Sequence, residues 1–133
     1  MKKNINLILI ILWMIFIFIM SSFNANDSAN QSNFIVFFIS HIFNINNLVL
    51  LSFIVRKLAH FTEYLILGIL IYNYSLKLDL STLICLLYAI SDEIHQIFTP
   101  GRSCQIKDVI IDLLGAICGI LIIYLYNKRK TRN

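Results

Sequence analysis

IKDVIIDLLGAICGILIIYLY, Ile106 to Tyr126, is the stretch that decides the fold. It is long enough for one membrane crossing, which takes about 20 mostly apolar residues. Apolar and polar residues do not alternate along it, and lipid offers no partner to an open strand, so the run reads as a helix. Two aspartates interrupt it. At 100° per residue, Asp108, Asp112, Gly115 and Gly119 fall within about 60° of one another. Gly115 and Gly119 form a GxxxG pair, a face on which a second helix can approach closely. The acids are therefore predicted to point at a neighbouring helix rather than at lipid. A charged side chain at mid-membrane costs roughly 2.5–3.5 kcal/mol on insertion scales, so each aspartate marks a candidate functional site.

The rest of the chain has the same character. Of its 133 residues 59% are hydrophobic, with a single Pro and a mean hydropathy of +0.79. That composition belongs to the membrane class, and the length allows one domain, residues 1–133. Further apolar runs cover about 5–22, 58–74 and 80–98. The first, preceded by Lys2 and Lys3, is a retained span or a signal peptide cleaved within the small polar stretch Ser21 to Ala25. Phe23 to Asn33 reads as a Ser/Asn-rich loop. Phe34–Ser40 and Leu48–Val55 are each too short to cross, and HIFNINN, His41 to Asn47, separates them.

Basic residues choose the topology. With four spans, Lys2, Lys3, Lys77, Lys128, Arg129, Lys130 and Arg132 face the cytoplasm, against Arg56, Lys57, Arg102 and Lys107 outside. A fifth span would export the basic tail, so the positive-inside rule favours four. The expectation is an all-α membrane protein: a four-transmembrane-helix bundle with both termini cytoplasmic. Residues 23–57 then form an extracytoplasmic loop containing short interfacial or re-entrant helices.

In this arrangement the ionisable residues gather near the outer ends of three spans. Glu63, Asp92 and Asp112 each lie six residues in, about 9 Å deep. His60, His95, Gln96 and Asp108 form a shallower layer, roofed by Lys57 and Arg102. Lys57, His60 and Tyr64 share one helical face; Asp92, His95 and Gln96 share another. Pro100-Gly101 suits a type II turn that holds Arg102 over the acids. His60, Glu63, Asp92, Glu93, His95, Asp108 and Asp112 are the candidate catalytic residues, able to supply a general acid and base. Lys57, Tyr64, Gln96 and Arg102 are the candidate ligand-binding residues.

Other readings of the cluster stay open. His–carboxylate and Tyr–carboxylate bonds can simply clamp helices together. No cofactor is assigned, and no metal is assigned to particular residues. A divalent metal is compatible with the HxxE and DExHQ spacings, as pairs of Asp92 with His95 or Gln96 and of His60 with Glu63. A proton path is disfavoured because the inner halves of the spans carry no charge. Cys85, Cys104 and Cys118 are spaced for neither a disulfide framework nor a zinc site. His41 reads as a loop residue. Without a basic stripe interleaved with aromatics, nucleic acid is not an expected partner.

RKLAHFTEY (Arg56–Tyr64), SDEIHQIFTPGRSCQIKD (Ser91–Asp108) and DLLGAICG (Asp112–Gly119) resemble the signature of VanZ-like membrane proteins. That family takes its name from an accessory protein of glycopeptide-resistance clusters that confers low-level teicoplanin resistance. The resemblance implies a small bacterial membrane protein; with the topology above, it is a multi-pass protein of the cytoplasmic membrane whose polar pocket faces outside. By position, Lys57, His60, Glu63, Tyr64, Asp92, Glu93, His95, Gln96, Pro100, Gly101, Arg102, Asp108 and Asp112 match the pattern. Two functions are compatible. One is binding of a cell-wall precursor, lipid headgroup or glycopeptide, contributing to resistance. The other is a membrane-embedded enzyme using His/carboxylate or metal chemistry on a lipid-linked or phosphorylated envelope substrate.

Overall fold

A computed structural model describes residues 2–23, 33, 35–42, 46–102 and 104–130. All regular structure among them is helical: α1 (Lys2–Ser22), α2 (35–42), α3 (Leu48–Ser75), α4 (Leu78–Gln96) and α5 (Ile106–Lys130). Most of the expected Phe23–Asn33 loop, the end of the Ser21–Ala25 stretch and the last three residues of the tail lie outside the described residues.

Two boundaries differ from expectation. The second apolar run was expected to start at Leu58, but α3 begins ten residues earlier and runs unbroken for 28 residues. Asn47 accepts a hydrogen bond from the Leu50 N–H at 3.1 Å, capping that end. No Gly or Pro interrupts the helix before Gly68, so Leu48–Val55 continues into the site instead of forming a separate external piece. His41, expected in a loop, is helical, and its ring stacks on Phe37 at 5.8 Å.

The connections are tight. Leu76 adopts φ 56° and its N–H reaches Tyr72 O at 2.8 Å, closing α3 so that α4 starts two residues later. α4 gives way at Gln96 to turns, and Gly101 takes φ 76° while Arg102 N–H bonds Thr99 O at 3.1 Å. This is the geometry expected of a type II turn on Pro100-Gly101.

α3 and α5 make the closest contact, side by side and parallel. A methyl added at Gly115 would overlap the Phe61 carbonyl, and one at Gly119 the Leu65 carbonyl. The predicted GxxxG face is thus pressed directly against backbone. α4 lies antiparallel to both. α1 is held by Trp13, whose Nε1 donates to Glu63 O at 2.9 Å, and by Tyr88, whose hydroxyl donates to Met14 O at 2.6 Å. Ile10 and Ile17 of α1 join Tyr64, Leu67, Ile71, Cys85, Ala89 and Ala116 in the core.

The distribution of polarity is inverted relative to a water-soluble bundle. Leu83, Leu87, Ile90 and Ile94 of α4 and Leu114, Leu121 and Leu125 of α5 face outward, while Asp92, Glu93, Gln96, Asp108 and Asp112 are buried. An apolar exterior around a charged interior is what lipid solvation selects. Asn4–Ser22 and Ile106–Lys130 are each long and apolar enough to cross a membrane.

Candidate functional site

The acidic face of α5 meets the basic face of α3. Near the start of α5, Lys57 forms an ion pair with Asp108. One turn deeper, His60 Nδ1 stands 3.6 Å from Asp112 Oδ1. Asp92 enters from α4, so that ligand atoms of His60, Asp92 and Asp112 all lie within 4.8 Å of one another. Counting depth from the span ends sets His60 in the upper layer, with Lys57 level with Ile106. Instead Lys57 pairs two residues further along α5, a shift of about 3 Å, and His60 drops to the level of Asp112.

This inner group is under-satisfied. Asp112 is fully buried, and neither of its oxygens has a hydrogen-bond partner. Asp92 Oδ1, His60 Nδ1, Glu93 Oε1, Tyr64 OH and Ser21 Oγ are also buried without one. Each orphaned buried polar atom costs about 1–3 kcal/mol, more when charged. Such a group is a poor clamp; it is better suited to receiving something.

Above it opens a cavity of about 140 Å³ lined by Phe53, Arg56, Lys57, His60, Gln96, Gly101, Arg102, Gln105 and Asp108. Three of these carry fixed positive charge and one a carboxylate. Burial lowers the Arg102 pKa from its ordinary value, opposed by nearby Asp92, Glu93 and Glu63. A guanidinium still keeps its charge at neutral pH. The cavity therefore gathers three cations, with His60 linking it to the buried carboxylates Asp92 and Asp112.

The remaining candidates divide by helical phase. Gln96 lines the cavity and donates to Asp92 Oδ2 at 3.3 Å. Glu63 is half-buried on α3, within electrostatic reach of His60, Asp112 and Asp92. Glu93 accepts the Gln105 N–H at 2.8 Å, tying α4 to the residue before α5. His95, expected in the pocket, turns the other way: its Nε2 is 3.0 Å from Ser22 Oγ and its ring 4.3 Å from Phe18. It lies about 60° from Asp92 on the side where α1 packs. Tyr64, expected to bind ligand, has no exposed surface and lies outside the cavity lining, its ring 6.2 Å from Tyr88. Two turns below Lys57, it belongs to the core. Arg56, Phe53 and Gln105 line the cavity in addition to the expected residues. Arg56, next to Lys57 in the same motif, was the readable signal among them. The three cysteines are free thiols, Cys85 buried and Cys104 and Cys118 exposed.

No curated protein and no solved structure shows a significant match to the chain. The family comparison is positive, and it extends from α1 to the last turns of α5, across every residue of the cluster and the cavity. The profile described as VanZ/LLP1 matches residues 6–127, and the chain is therefore a member of the VanZ/LLP1 family.

Proposed function

We propose that α1, α3, α4 and α5 all span the bacterial cytoplasmic membrane, with both termini cytoplasmic and the cavity open to the outer face, and that the cavity binds an anionic component of the cell envelope. The observation that carries this is the grouping of Arg56, Lys57 and Arg102 around one cavity, at the end of the bundle away from the basic C-terminal turn of α5. A phosphate headgroup of a membrane-anchored cell-wall precursor fits that chemistry. Cations at headgroup depth attract it, and an Arg fork can grip its oxygens. Occupation of that precursor, or of a glycopeptide drug itself, is how such a protein would contribute to teicoplanin resistance.

The test is susceptibility to teicoplanin of cells with and without the protein, alongside Arg102→Ala. Protection by the wild type and its loss in the variant support the reading. Equal susceptibility in all three would remove resistance from it. Binding is measured separately, by native mass spectrometry of the purified protein with a polyprenyl phosphate. An unchanged spectrum would remove the headgroup ligand.

A second reading, a membrane-embedded enzyme on a lipid-linked or phosphorylated substrate, is favoured by one feature. His60 belongs both to the cavity lining and to the carboxylate group beneath. A bound phosphate or ester would thus lie beside an acid–base group. Turnover of a polyprenyl phosphate or lipid-linked precursor by purified protein decides between the two.

A further inference from the structure

We propose that His60, Asp92 and Asp112 are the protein ligands of a divalent cation of the zinc or manganese type. This goes beyond the anion-binding reading, which rests on the cavity's cations, and it rests on different atoms.

Two independent observations carry it. The first is convergence: three helices each bring one ligating group to one place, with the donor atoms within 4.8 Å of one another. Any two donors of a tetrahedral ion bound at about 2.1 Å are roughly 3.4 Å apart. The 3.6 Å between His60 Nδ1 and Asp112 Oδ1 already approaches that value. A movement of about 0.7 Å per group, within the reach of side-chain rotation, closes even a 4.8 Å separation to it. The second is that each of these three groups holds a buried, unsatisfied donor atom. Asp112 has no exposed surface and Asp92 is 3% exposed, and both Asp112 oxygens, Asp92 Oδ1 and His60 Nδ1 lack hydrogen-bond partners. Two carboxylates and one neutral imidazole carry a charge that a divalent ion cancels.

Chemistry narrows the ion. An all-oxygen cage would suit magnesium or calcium, whereas one imidazole with two carboxylates suits zinc or manganese. Gln96, bonded to Asp92 Oδ2, is placed to orient that carboxylate. Three protein ligands leave a position open, and because His60 also lines the cavity, that position is reached from the side of Arg102. These ligand pairs are not those the sequence suggested: His95 and Glu63 are replaced by a partner from α5.

The full-length protein, purified in detergent without chelator, is assayed for bound metal. It is then stripped with EDTA and titrated with zinc or manganese chloride while its unfolding temperature is followed. Wild type is expected to hold about one equivalent, to lose thermal stability on stripping and to regain it on titration. Asp112→Asn, which keeps shape, and Asp92→Asn are each expected to weaken metal retention at least about tenfold, whereas Arg102→Ala keeps it. X-ray absorption of the loaded wild type should show a mixed nitrogen and oxygen shell with imidazole scattering, a readout that needs no variant to fold. A wild type that binds neither ion, or metal retained equally by both asparagine variants, or a shell without imidazole, would overturn the assignment. Loss of anion binding in Arg102→Ala with metal intact would separate this site from the cavity above it.

Discussion

Gly115→Ala is the sharpest test of how this site is built. The added methyl would lie 3.0 Å from the Phe61 carbonyl carbon and 3.2 Å from its Cα, closer still to the oxygen. Carbon atoms in ordinary contact sit about 3.5–4.0 Å apart, so α3 and α5 must part locally by roughly 1 Å. Forcing one extra carbon into a well-packed contact costs about 1–3 kcal/mol. The same displacement travels to Asp112, less than one turn away, and widens its 3.6 Å approach to His60. The assay is thermal or denaturant unfolding of the purified protein in detergent. Its control is Leu114→Ala, on the neighbouring outward-facing position, 52% exposed. Because the obstacle is backbone, truncating Phe61 cannot relieve it: Phe61→Ala/Gly115→Ala should be no more stable than Gly115→Ala alone. Gly115→Ala as stable as wild type would refute the close contact, and so would rescue by Phe61→Ala.

Lys57→Met and Asp108→Asn should each destabilise by about 1–3 kcal/mol, since each strands a largely buried charge, while the double variant loses less than the sum; simple additivity in unfolding measurements would mean the pair does not interact. Gly101→Ala places a Cβ at φ 76° and should cost about 1 kcal/mol. It should also weaken anion binding by displacing Arg102, and unchanged stability together with unchanged binding would contradict the turn's role.

What the sequence made legible follows from what a helix makes periodic. The face holding Asp108, Asp112, Gly115 and Gly119 is a consequence of 100° per residue, and all four are buried against neighbours as expected. The Pro100-Gly101 turn was readable because only certain residues tolerate its dihedrals. Register between helices was not readable, because it depends on where glycine backbones meet, and no single helix contains that. Hence His60 was placed one layer too high. His95 was misplaced for a related reason: its phase alone allows two neighbours, and the position of α1 decides between them. The start of α3 differs because length and charge set Leu48–Val55 apart from the following apolar run, whereas the absence of any Gly or Pro before Lys57 makes the two one helix.

One stripe on α5 explains why the site lies where it does. Its first two turns carry Asp108 and Asp112; the next two carry Gly115 and Gly119, at the same helical phase. The glycines bring α5 against the Phe61 and Leu65 carbonyls, and with no side chain there the two helix axes are set by backbone contact. Continued toward the start of α5, that close approach puts His60 and Lys57 of α3 within reach of Asp112 and Asp108. Packing energy gained at the glycines thus offsets the cost of holding unsatisfied carboxylates a turn away, a cost that water would otherwise relieve by opening the helices. It follows that charge removal and glycine substitution act in opposite directions on the same interface. An Asp112→Asn variant without metal should be at least as stable as the stripped wild type, while Gly119→Ala should lower the stability of both. An asparagine variant much less stable than stripped wild type would mean that Asp112 holds the bundle together, and the separation between packing half and chemical half would fail.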